Sequence, residues 1–290
     1  MSIEFDPEVA NALDRLTASA RVIGPIHTDT HTTYVLKGLA DTDEQITDLC
    51  WCILGFLAGA FLRDLSIDSA IGHGEQARAN LSQILKKRVR VGEALTDKQK
   101  ADSRNPLLHE LISHTLLAIH RKKSILPEWL AKVQACRPPH VSANDSGPDL
   151  IAIGAEDDTP FPIIGEAKAY EKDPLRGLGD ACEKFTQVRI GEYNDELRTA
   201  LRDLPSAVPF SKEELAASIW KDIGRFGALV GHDRSFGFDI DAPCTKSEVL
   251  KQDPKRLFFI ASPYNSMRGL FDELADRLSD LAESLGNSDA

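Results

Sequence analysis

The segment from Asp149 to Tyr170 constrains the fold more than any other part of the chain. It holds two apolar runs, Asp149-Leu-Ile-Ala-Ile-Gly154 and Phe161-Pro-Ile-Ile-Gly-Glu-Ala-Lys-Ala-Tyr170, separated by Ala155-Glu-Asp-Asp-Thr-Pro160. Short apolar runs rich in β-branched residues and bounded by Gly, Pro and Asp read as strands, and the six acidic and turn-forming residues between them read as their connection. The two are therefore expected to form a hairpin. Ile151, Ile153, Ile163 and Ile164 are residues of interior strands, so the hairpin needs helices to cover it.

Those helices are visible on both sides in sequence. Asn105 to Lys123 carries Leu107, Leu108, Leu111, Ile112, Thr115, Leu116 and Ile119 as a broad apolar stripe. After the hairpin, Asp173 and Pro174 open a helix expected to run, with a break near Gly191, to Asp203, where Pro205 and Pro209 stop it. Ser211-Lys-Glu-Glu214 has the capping-box pattern before Leu215, Ile219 and Ile223. Lys255-Arg-Leu-Phe-Phe-Ile-Ala-Ser262 reads as an apolar strand, and Gly269 to Leu285 as a helix with Leu270, Leu274, Leu278 and Leu281 on one face. The order helix, strand, strand, helix, strand predicts an α/β sandwich with a central mixed sheet flanked by helices.

The first part of the chain is mainly helical. Residues 1–21 place Val9, Leu13 and Leu16 on one side, and Thr32 to Gly38 reads as a strand. A helix starts near Asp41-Thr-Asp-Glu44 and continues to about Asp64, and Ala77 to Val91 is a further helix candidate. Cys50 to Leu62 is apolar on nearly every side, so its helix should be central. At thirteen residues the run is shorter than the roughly 20 needed to cross a bilayer. Gly55 and Gly59 give another element room to approach. The chain is expected to divide into a helix-rich N-terminal region, 1–104, packed on a core, 105–290, that ends in the C-terminal helix.

Charge and cysteine usage narrow the class. Of 290 residues, 34 are Lys or Arg and 45 Asp or Glu, a net charge of −11, which argues against a protein that coats nucleic acid but not against an enzyme with a local binding patch. The N-terminus is acidic and lacks the basic start of a secretory signal. The five cysteines are odd in number, and Cys50 and Cys52 lie two apart on a helix, poor spacing for zinc. A reducing cytoplasm and no membrane are expected. No nucleophile elbow marks a Ser-His-Asp enzyme, Gly177-Leu-Gly179 lacks the rest of a dinucleotide loop, and no phosphate-binding Gly-Lys-Ser/Thr loop is present.

The hairpin carries the chemistry. Residues i and i+2 of a strand share a face, so Glu166 and Lys168 project together while Ala167 points the other way. Strand pairing can bring Asp149 alongside Glu166. Two converging carboxylates make a hard oxygen site suited to Mg²⁺ or Mn²⁺, with the Ala167 carbonyl as a further ligand. Lys168 beside a phosphate can orient or help deprotonate a water, or stabilise developing charge.

In this order the residues resemble a known signature. Pro148-Asp149 followed by Glu166-Ala167-Lys168 looks like the catalytic motif of the PD-(D/E)XK nuclease superfamily. The resemblance implies a restriction-endonuclease-like sandwich with a four-stranded mixed sheet, and a Mg²⁺-dependent phosphodiesterase. It makes Asp149 and Glu166 metal carboxylates and Lys168 the catalytic lysine. The superfamily often adds a glutamate from the helix before the sheet, and Glu110, in Asn-Pro-Leu-Leu-His-Glu-Leu-Ile-Ser-His, is its natural counterpart. More closely, Ile164-Gly-Glu-Ala-Lys-Ala-Tyr170, Gly177-Leu-Gly-Asp-Ala181 and Leu197-Arg-Thr-Ala-Leu201 are similar to the HamA-like nuclease subunits of Hachiman-type bacterial antiphage systems. These also have a helix-rich N-terminal part and work with a superfamily-2 helicase.

Other residues carry two readings. Lys184, Gln187 and Arg189 follow the hairpin, on a helix that in the superfamily flanks the active site; they touch substrate or form a solvated face. Tyr170 stacks on a base or sugar, or packs in the core. His109, His114 and His120 are spaced 5 and 6 apart and read as ordinary residues. From Lys86 to Arg104 seven basic residues face three acidic ones, and Arg121, Lys122 and Lys123 follow, either a phosphate-backbone track or a solvated surface. The expected function is a metal-dependent nuclease acting on DNA as the effector of a helicase–nuclease defence complex. The alternatives are a standalone DNA repair or restriction-type nuclease, and a catalytically silent nucleic-acid-binding subunit.

Overall fold

The computed structural model describes residues 5–58, 81–126, 132–137, 139, 147–157, 159–203, 211, 213, 224–239, 244, 246 and 256–288. Seven strands form one sheet: β1 (Arg21–His27), β2 (Thr32–Lys37), β3 (Lys132–Cys136), β4 (Leu150–Glu156), β5 (Thr159–Ala169), β6 (Arg225–Asp233) and β7 (Leu257–Tyr264), in the spatial order β1-β2-β7-β6-β5-β4-β3. The four central strands β2, β7, β6 and β5 run parallel, while β1, β4 and β3 pair antiparallel at the two edges. The sheet is mixed, as expected, and wider than the four strands that the family resemblance implies.

Parallel neighbours need crossovers, and helices supply them. Among the described residues the longer helices are α1 (Phe5–Ser19), α2 (Asp43–Leu57), α3 (Leu81–Arg88), α4 (Asn105–Lys123), α5 (Pro174–Arg189), α6 (Asn194–Asp203) and α7 (Met267–Ser288). Alternation along the strands sorts their side chains. Leu150, Ala152, Ile163, Leu229, Phe258 and Ile260 join the core with α1, α2, α3, α4 and α7. Ile151, Ile153, Ile164, Phe226, Ala228, Val230 and Phe259 join a second core with α5 and α6. Phe185 of α5 packs against Phe226 of β6, tilted by 41° at 5.0 Å between ring centroids. The fold is an α/β sandwich with a mixed sheet between helical layers.

Local chemistry accounts for the helices. Thr42 caps α2 by accepting the Gln45 N–H, and Asp43 and Glu44 lie in its positive first turn. From Leu49 to Leu57 every side chain of α2 is buried, as its all-round apolarity requires. Asp48, also buried, receives a two-pronged hydrogen bond from Arg15, which ties α2 to α1. The helix α4 begins and ends at the expected residues. The break near Gly191 is present: α5 ends at Arg189, Gly191 takes φ +92, and α6 begins at Asn194.

The structure corrects several expectations. The hairpin connection is much shorter than six residues, because pairing continues through Ala155↔Pro160 to Glu156↔Thr159, with Asp157 in the left-handed region. Three strands were not anticipated: β1, β3 and β6. The described part of residues 1–104, expected as a helix-rich region, adds two strands to the same sheet, β1 pairing with β2 and β2 with β7. The expected continuation of α2 past residue 58, including Gly59, lies outside the described residues. So do most of the loop 138–146, Pro205, Pro209 and nearly all of the helix expected after Ser211.

Candidate active site

The β4–β5 register builds the site. Leu150 pairs with Gly165, so Asp149, one residue earlier, stands opposite Glu166 just before β4 begins. With no further strand residue to continue the ladder, the Asp149 side chain takes over, and its Oδ2 accepts the Ala167 N–H at 2.8 Å. Ala167 thus contributes its amide to holding Asp149. The turn before Asp149 is clamped as well. Gly147 has φ +112, and a Cβ there would overlap the Glu196 carboxylate of α6. Glu196 is held by Arg137 at 2.9 Å, whose own amide donates to Ile151 O at 2.8 Å.

Glu166 and Lys168 share a face, as strand geometry dictates. Lys168 Nζ donates to Glu166 Oε2 at 2.6 Å. Glu166 is only 3% exposed, and its other oxygen, Oε1, is buried with no hydrogen-bond partner. Burial and then the Asp149 charge push the Glu166 carboxyl up, to about 7, against the pull of Lys168. For Lys168 burial acts downward, but the Glu166 and Asp149 carboxylates outweigh it and hold the ammonium above its usual value. Asp149, Glu166 and Lys168 therefore form one electrostatic unit at the carboxyl end of β5, the end of parallel strands where α/β sheets place their ligands.

Glu110 approaches from the opposite side of the sheet. It is buried on α4, with Oε1 3.9 Å from Nε2 of His114, and that Nε2 lies 3.4 Å from the Asp149 carbonyl oxygen. A small cavity lies between α4 and the strands, bounded by Ser113, Leu116, Asp149, Gly165, Glu166 and Gly227. Among the described residues, no three His, Cys, Asp or Glu side chains are gathered as a metal-holding group. The pair Asp149 and Glu166 nonetheless fits a hard divalent cation in its chemistry: two carboxylates and one buried oxygen without a hydrogen bond.

Around this centre, Lys184 lies over the Tyr193 ring at 4.0 Å and donates to its hydroxyl at 2.6 Å, and that hydroxyl donates to Gln187 Oε1 at 3.4 Å. The Lys184 charge reaches Glu166. Arg189 is exposed at the end of α5. Tyr170 donates to Asp180 and lies under the Arg176 guanidinium, half-buried against the second core. His109 is buried between α4 and β6, held neutral by a value lowered to about 4, and His120 accepts the Leu126 N–H. Part of the basic run is engaged within the protein: Lys100 and Arg104 with Asp272, Arg90 with Glu93, Lys122 with Asp14. The five cysteines are buried free thiols. Among the described residues, no helix is long and apolar enough to cross a membrane.

No family model, curated protein or solved structure matches this chain. The site therefore speaks through its own geometry. The residue that sequence reasoning passed over is His114. Its signal was the Glu110-x-x-x-His114 spacing, which puts both side chains on one face of α4.

Proposed function

We propose that the chain is a metal-dependent nuclease that hydrolyses DNA phosphodiester bonds. The observation that carries this reading is the buried carboxylate Glu166, beside Asp149 and bonded to Lys168, with one oxygen left without a partner. An unpaired buried carboxylate oxygen is costly and calls for a function.

Asp149 and Glu166 would hold Mg²⁺ or Mn²⁺, which supplies Lewis acidity toward a phosphate and its attacking water. Lys168 is 26% exposed at its side chain, so it faces both the carboxylates and solvent. It holds its proton and is placed to bind a phosphate oxygen and stabilise charge developing there. The Ala167 amide and the Gly147 turn keep Asp149 from swinging away. Lys184 adds a second cation near Glu166.

The finer reading is an effector subunit acting with a superfamily-2 helicase in antiphage defence. It is supported by the resemblance of the hairpin and α5 segments to the HamA-like family. The net charge of −11 agrees with it, since a subunit that repels DNA at long range needs a partner to deliver it.

The test is cleavage of supercoiled and linear DNA with Mg²⁺, Mn²⁺ or EDTA, comparing wild type with Lys168→Ala and Glu166→Gln. Metal-dependent cleavage by wild type and its loss in both variants is expected. If the isolated chain is silent, the same assay is run on its complex with a co-purifying helicase. Silence there too, or cleavage that persists in EDTA or in both variants, overturns the reading.

A further inference from the structure

We propose that His114 is the positioning residue of this site, its buried imidazole bridging the Asp149 backbone at the start of β4 and the Glu110 carboxylate on α4. The inference rests on the nuclease reading and deepens it.

The geometry around the ring is unusually convergent. His114 is 1% exposed. Its Nε2 faces two acceptors, the Asp149 carbonyl at 3.4 Å and Glu110 Oε1 at 3.9 Å. The nearer of them, the carbonyl, can only accept, so a hydrogen bond there places the ring proton on Nε2. Nδ1 faces the Cys136 thiol of β3 at 3.8 Å. Burial pushes that thiol up, so it keeps its hydrogen, which it donates to the Arg137 carbonyl at 3.2 Å. The ring edge meets Phe56 of α2 at 5.7 Å between centroids. One side chain thus touches α2, β3, the start of β4 and its own helix neighbour Glu110.

The consequence falls on Asp149. Past Leu150 the β4 ladder has ended, so Asp149 is not held by strand pairing. Two contacts outside the ladder bear on it: its carboxylate accepts the Ala167 N–H, and its carbonyl faces His114. The first contact fixes the side chain toward β5, and the second fixes the peptide from behind the sheet. Losing the second lets the peptide rotate and takes the carboxylate off the position opposite Glu166. A packing role alone would be met by any ring of similar size. The donor at Nε2 is what a phenyl or isobutyl group lacks, and without it the buried Asp149 carbonyl and Glu110 carboxylate lose a partner. Groups that orient a metal ligand from behind commonly change metal affinity by 10–100-fold.

The experiment compares His114→Gln, which returns an N–H near the Nε2 position, with His114→Asn, which places it near Nδ1, and with His114→Leu, which removes it. Mn²⁺ affinity is read by titration calorimetry, DNA cleavage is read as kcat and KM, and the exchange rate of the Ala167 amide is read by hydrogen exchange without metal. The Gln variant is expected to stay within about threefold of wild type in all three. Asn and Leu are expected to weaken Mn²⁺ binding at least tenfold, lower kcat with KM for DNA little changed, and speed Ala167 exchange at least tenfold. Equal behaviour of Gln and Leu, or Ala167 exchange unaltered in Asn and Leu, overturns the proposal. If Leu does not fold, Gln against Asn decides. If wild type binds no Mn²⁺ and cuts no DNA even with a partner, the nuclease reading falls, while the exchange rates still decide whether His114 positions Asp149.

Discussion

If Asp149 and Glu166 hold a cation as proposed, Glu166 makes that binding steeply dependent on pH near neutrality. Its carboxyl is pushed from 4.5 to about 7 by burial and by the neighbouring Asp149. A cation must take the ionised form. With a value near 7, about one tenth of Glu166 is ionised at about pH 6 and about nine tenths at about pH 8. Apparent Mn²⁺ affinity should therefore rise about tenfold over that interval and level off above it, with close to one proton released per ion bound at the acid end. Stability without metal runs the other way. The native state keeps a proton that the unfolded chain gives up between about 4.5 and about 7, so stability falls as pH rises through that window, by up to about 3 kcal/mol, and is flat above it. Calorimetric titration in buffers of different ionisation enthalpy, paired with urea unfolding at the same pH values, reads both effects. Affinity unchanged across the interval with no proton released would refute the reasoning, because it would mean that Glu166 is already ionised or is not a ligand.

Two substitutions probe the frame around the site. Gly147→Ala puts a side chain where φ is +112 and the Glu196 carboxylate fills the space; thermal unfolding should show a loss of about 1–3 kcal/mol, with cleavage falling by a larger factor as Asp149 shifts. An unchanged melting temperature would contradict the clamped turn. Phe185→Ala empties a fully buried position packed against Phe226 and should cost about 3–5 kcal/mol in urea denaturation. A cost under about 1 kcal/mol would mean that α5 is not packed on the sheet as described.

The sequence announces its strongest elements and hides the weak ones for identifiable reasons. The helix α4 is legible because its apolar stripe is long and unbroken. The β4–β5 hairpin is legible because isoleucines fill both strands. By contrast β6, Arg-Phe-Gly-Ala-Leu-Val-Gly-His-Asp, is interrupted by two glycines, one of which pairs with Gly165 beside the small cavity. The edge strand β1 shows no apolar alternation, and most of its residues are exposed. β3 is five residues long. Such strands are held by pairing with stronger neighbours, which local patterning does not report. Within the site, Asp149, Glu166 and Lys168 were legible because strand periodicity and a hairpin register bring them together. His114 was not, since its contacts cross from α4 to the start of β4 and the end of β3 and depend on how that helix lies on the sheet.

The pairing of β2 with β7 has a consequence for synthesis. Thr32 leaves the ribosome early, whereas its partner Phe258 emerges only after the whole hairpin and α5. Until then β2 has no neighbour on that side and β6 lacks one flank. The carboxylates are thus encoded on a local hairpin, but the platform beneath them closes late, when β7 slides between β2 and β6. Nascent or prematurely terminated chains would carry the Asp149, Glu166 and Lys168 residues on an open sheet that exposes unpaired strand edges. Such a schedule ties assembly of the candidate site to completion of the sheet and leaves abortive fragments to the proteases that clear exposed edges.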